Sequence, residues 1–108
     1  MNAEISSLKE LLSKGLYLDN LDDIFSVCKR MAPHLADPLP VYVLSSIVRD
    51  IYAAWDDRPL PCEEAKRVES SLLPPLTEVV NLMESSAGSN QLWDALNNLV
   101  RNYLQLGI

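Results

Sequence analysis

A chain of 108 residues with 48% hydrophobic and 22% charged side chains can bury roughly 65% of the surface its unfolded form exposes, so a core without disulfides or metal is feasible. That balance excludes the low-hydrophobicity, high-charge regime of disordered chains. The net charge of -6, with nine bases scattered among fifteen acids, lacks the dense positive footprint that neutralises phosphates, which argues against nucleic acid and anionic membrane as partners.

The longest uncharged run, Pro38 to Val48, has eleven residues, against about 20 for a membrane span. Met1, Asn2, Ala3 and Glu4 lack the basic start of a secretion signal, so the expected setting is cytoplasmic, with Cys28 and Cys62 as reduced thiols. No cofactor is expected. One domain, residues 1–108, accounts for the whole length.

Hydrophobic periodicity predicts an all-α bundle of about five helices and no β-sheet. The first helix, about 3–14, places Ile5, Leu8, Leu11 and Leu12 on one face, and Gly15 ends it in the left-handed conformation open to glycine. The second, about 20–32, begins after a cap at Asp19 or Asn20, carries Leu21, Ile24, Val27, Cys28 and Met31, and ends at Pro33.

The third helix, about 38–56, is capped by Asp37 with Pro38 in the first helical position, where proline costs nothing. Val41, Val43, Leu44, Ile47, Val48, Ile51, Tyr52, Ala54 and Trp55 cover an arc of about 180°, far wider than the ~100° stripe of a surface helix. This width predicts a central helix that others must cover.

The fourth segment, about 61–85, starts near Pro59 or Pro61 and contains Pro74 and Pro75. An interior proline costs about 3 kcal/mol, so a kink or break is expected there. The apolar phase nevertheless continues through Ala65, Val68, Leu72, Leu76, Val79 and Met83, so both halves share one face. After a serine-rich loop at residues 85–89, the last helix, about 90–106, again has a broad arc. Leu92, Leu96, Leu99, Tyr103 and Leu106 form its middle, and Trp93, Val100 and Leu104 form a shoulder.

Chemistry-bearing patterns are sparse. His34, the single histidine, lies in a connector with no nucleophile tied to it. Two cysteines 34 positions apart with one histidine between them do not make a zinc set, and no glutamate stands three residues before the histidine as di-iron bundles require. The pairs Asp22–Asp23, Asp56–Asp57 and Glu63–Glu64 read as solvated residues near helix starts. Glycines at 15, 88 and 107 alone exclude a phosphate-cradling loop. Cys62, in a first turn, feels a helix dipole that favours the thiolate, but Glu63 and Glu64 oppose it. No catalytic, cofactor or metal residues are assigned.

Surface is what remains. With one wide-arced helix in the middle of the bundle, the shoulder Trp93, Val100 and Leu104 of the other needs a further neighbour, and aromatic residues are frequent interface anchors. The expected function is a small acidic non-enzymatic protein-protein interaction module: a homodimer, or an inhibitor, immunity-type or chaperone partner of another protein. The alternative is a bundle that binds a small apolar ligand between the third and last helices, in a pocket lined by Tyr52, Trp55, Trp93 and Tyr103.

Overall fold

The computed structural model describes residues 2–56 and 61–108, and these form five α-helices with no strand among them. The helices are α1 (Asn2–Ser13), α2 (Leu18–Met31), α3 (Leu39–Trp55), α4 (Cys62–Glu84) and α5 (Ser89–Leu106). A single 3-10 turn, Ala32–His34, joins α2 to the connector before α3. Asp57 of the Asp56–Asp57 pair, and Pro59, lie outside the described residues.

The helices form a ring in the order α1, α2, α3, α5, α4 and back to α1, with α2 packed most extensively along α3. The shortest dimension is 19 Å, which accommodates two layers of helix about 10 Å apart. In a two-layer ring no rod is surrounded. The nine residues of the expected α3 arc are all buried or half-buried, but the central position is corrected: α3 packs chiefly on α2 and only lightly on α5, and Leu39 and Tyr42, outside that arc, are exposed. The buried residues of all five helices make one contiguous apolar cluster.

Two contacts fix α1 antiparallel to α4. Lys9 Nζ meets Glu84 Oε1 at 2.7 Å near one end, and the Leu16 N–H donates to Glu69 Oε2 at 2.8 Å near the other. Gly15 stands at the corner between α1 and α2 with φ of +97°, where a Cβ would lie 2.7 Å from Glu69 Oε2. A side chain there would be strained by its backbone and would displace the carboxylate that holds the corner to α4.

The same corner corrects the expected start of α2. Tyr17 is the residue before the first turn, so Asn20 lies inside the helix rather than at its cap. It is 1% exposed, and its side-chain amide donates to the carbonyls of Leu11, at 2.7 Å, and Gly15. The Leu11 carbonyl also accepts the Lys14 N–H at 3.1 Å, whereas the Gly15 carbonyl, past the end of α1, takes its donor from Asn20. Asn20 thus closes α1 from the neighbouring helix. At α3 the capping bond is the expected one, the Leu39 N–H donating to Asp37 Oδ1 at 3.1 Å, although Pro38 occupies the cap position itself.

Pro74 and Pro75 do not break α4, which runs unbroken from Cys62 to Glu84. Val68, Leu72, Leu76, Val79 and Val80, on both sides of the prolines, are buried to 1% exposure or less. Pro74 is on the exposed side, so water can reach the carbonyl that its missing N–H leaves unmet. Continuous burial of the inner face outweighs the local penalty.

Candidate functional site

The ring is loosest between α3 and α5. These two helices run in the same direction: Leu39 and Trp93 line one end of the seam, and the Tyr103 hydroxyl donates to Asp50 Oδ2 at 3.0 Å toward the other. Between them lies an open groove of about 220 Å³ lined by Leu39, Val43, Trp93, Leu96, Asn97 and Val100. It continues into a second hollow of about 230 Å³, past Pro40, Leu92 and Asp37.

Helical spacing explains why these residues meet. Leu39, Val43, Ser46 and Asp50 follow steps of 4, 3 and 4 along α3, and Trp93, Asn97, Val100 and Leu104 repeat those steps along α5, so each set forms one stripe. Trp93 is 56% exposed, Leu104 69% and Leu39 45%, while Val43 and Val100 are half-buried. The surplus edges of the two broad apolar arcs therefore flank one trough. No known protein family, curated protein or solved structure matches this chain.

The shoulder residues Trp93 and Val100 share this groove, and Leu104 continues their stripe one turn further. Leu39, Val43 and Leu96 were not among the shoulder residues. Val43 was in the α3 arc and Leu96 in the middle of the α5 arc, while Leu39, four residues before Val43, stood outside the arc; its signal was that spacing.

The four residues of the alternative pocket are not brought together. Trp55 is 1% exposed, inside the core. Tyr52 lines a separate cleft between α2 and α3 with Leu21, Asp22, Phe25, Lys29 and Arg49, whereas Trp93 lines the α3–α5 groove. Tyr103 packs against the core and is bonded to Asp50. Partial burial and that bond hold its phenol above the usual tyrosine range. The Tyr52 phenol is raised mainly by the Asp56 charge.

His34 is exposed in the 3-10 turn. Among the described residues, no three His, Cys, Asp or Glu side chains are grouped so as to hold a metal ion, and no helix is long and apolar enough to cross a membrane.

The two thiols occupy opposite environments. Cys28 is 0% exposed, and burial pushes its pKa up to about 12; Cys62, the first residue of α4, is exposed. A chromogenic disulfide reagent at mildly alkaline pH is expected to titrate one thiol per folded chain at once and the second only on adding denaturant. Two equally fast thiols in the folded protein would contradict the burial of Cys28.

Proposed function

We propose that this chain is a cytoplasmic, non-enzymatic protein-protein interaction module that engages its partner through the groove between α3 and α5. The observation that carries this reading is the open apolar trough itself, with Trp93 and Leu104 more than half exposed beside it. Contiguous apolar surface on a small chain is characteristic of docking sites. A groove between helices, floored by aliphatic residues and edged by a tryptophan, is the shape that receives an amphipathic helix.

The chemistry of the lining supports binding over catalysis. Leu39, Val43, Leu96 and Val100 offer no proton donor or nucleophile, and a convergent set of polar groups is what an active site requires. The acidic character of the chain contributes long-range steering toward a partner of opposite sign.

The test separates docking from folding. Trp93→Glu and Leu104→Glu are expected to leave the circular dichroism spectrum intact and stability within about 0.5 kcal/mol, as for exposed positions. Each should weaken partner binding about thirty-fold, the ~2 kcal/mol of an interface anchor. The readouts are affinity capture from the native cell extract and light scattering of the purified chain. A retained partner, or a dimeric mass, that both variants leave unchanged would remove the groove from consideration.

A further inference from the structure

Resting on the groove as the docking site, we infer that its occupant is an amphipathic helix of another protein with a basic residue at each end of its apolar face, rather than a second copy of this chain. An acid stands at each end of the α3–α5 seam, one lining the hollow and the other beyond the groove's last lining residues. Asp37 lines the hollow beside Leu39 and Trp93, and Asp50 ends the α3 stripe, where Tyr103 of α5 bonds to it across the seam. Of the described residues lining the two hollows, Asp37 alone is charged. Arg49 on α3 and Arg101 on α5 stand roughly a quarter turn round their helices from the stripes, as does Asp94.

Both terminal carboxylates are held in place by the fold. Asp37 accepts the Leu39 N–H through Oδ1, and Asp50 accepts the Tyr103 hydroxyl through Oδ2, so each bond occupies one oxygen of its carboxylate. Fixed acids at the ends of an apolar trough select cations in the partner, because attraction strengthens as the interface excludes water.

The same arrangement disfavours self-association. Packing two copies groove to groove about a twofold axis brings Asp37 against Asp50 of the second copy when the helices cross antiparallel, and like against like when they run parallel. Acid meets acid in either case, on top of a net charge of -6 per chain, and like charges face to face at an interface are repulsive.

Geometry sets the spacing of the partner. Asp50 lies eleven residues of helix beyond Leu39, about 16 Å at 1.5 Å per residue, and Asp37 stands two positions before Leu39, a further step that a long, flexible lysine side chain spans. Positions i and i+11 of an incoming helix lie on one face over that length, with i+4 and i+7 between them to reach Leu39, Val43, Leu96 and Val100. A helix with Lys or Arg at i and i+11 and Leu at i+4 and i+7 matches the groove.

The experiment uses two designed helical peptides, one with Lys at i and i+11 and a twin with Glu there, titrated into the full chain at low ionic strength with Trp emission and calorimetry as readouts. The Lys peptide is expected to bind at least about ten-fold tighter than its twin. That preference should vanish in Asp37→Asn/Asp50→Asn, which preserves the local hydrogen-bond acceptors, and Trp93→Glu should abolish binding altogether. Equal binding of both peptides, lost in Trp93→Glu, keeps the groove and overturns the basic partner. A concentration-dependent dimer that Trp93→Glu converts to monomer, with neither peptide bound, does the same in favour of a second copy. If Trp93→Glu alters neither peptide binding nor mass, the groove reading itself falls.

Discussion

Replacing Asn20 with alanine is expected to lower the unfolding free energy by about 3 kcal/mol, the largest loss from any single polar residue of the described chain. The side chain is 1% exposed and is shared between Leu11 and Gly15 carbonyls at the end of α1. Alanine removes both bonds and strands the buried Gly15 carbonyl, at about 1–3 kcal/mol for such a group, while Leu11 keeps only its bond from the Lys14 N–H. In a domain of this size each kcal/mol moves the melting temperature by roughly 4–8 °C, so a fall of more than about 10 °C is expected. Asn20→Asp offers no rescue, since it turns a carboxylate toward two carbonyl oxygens. Asp23→Ala, at an exposed position in the same helix, should change stability by no more than about 0.5 kcal/mol. Urea unfolding of the three variants decides the matter: an Asn20→Ala midpoint near that of Asp23→Ala would show that the α1–α2 corner does not depend on this clamp.

That corner also marks where the sequence ceases to be legible. Asparagine immediately before the first residue of an apolar run is a common helix start, and nothing local distinguishes a cap from a clamp that reaches back nine residues to Leu11. Gly15 announced the end of α1 correctly, because a left-handed turn is a backbone property of one residue. Its contact with Glu69 depends on α4 arriving from more than fifty positions away. Helix identity and the buried faces were readable throughout, since both follow from spacing; the arrangement of neighbours was not.

The wide arcs of α3 and α5 illustrate the same division. Val41 through Trp55 and Leu92 through Leu106 carry more apolar flank than a surface helix needs, which was visible in the periodicity. The natural inference placed α3 in the middle of a bundle and left α5 with the surplus. A two-layer ring distributes it otherwise: each helix keeps one open edge, and the edges face a common trough. Trp93 and Val100 were therefore identified from α5 alone, whereas Leu39, Asp37 and Asp50 became meaningful only once α3 was set beside α5. Tyr52 and Trp93, both aromatic flanks of broad arcs, line different clefts because they lie on opposite sides of the ring seam.

Pro74→Ala is expected to stabilise the protein by about 2 kcal/mol, an effect opposite in sign to most substitutions. A proline inside a helix is about 3 kcal/mol less favourable than alanine. Roughly 1 kcal/mol of that is returned by the proline's restriction of the unfolded chain, which alanine gives up. Pro74 is exposed, so its ring contributes little packing that alanine would lose, and the restored N–H reaches the Ser70 carbonyl one turn back. Pro75 is buried; Pro75→Ala should gain less, because removal of its ring leaves space against the core. The double variant is not expected to be additive, since each proline also constrains the residue before it. The observable is a higher urea midpoint at an unchanged denaturant slope for Pro74→Ala, with a melting temperature raised by roughly 10 °C. A neutral or lowered midpoint would mean that the packing of Leu72, Leu76 and Val79 requires a local geometry that only the proline ring supplies. In that case continuity of α4 arises from the prolines and not in spite of them.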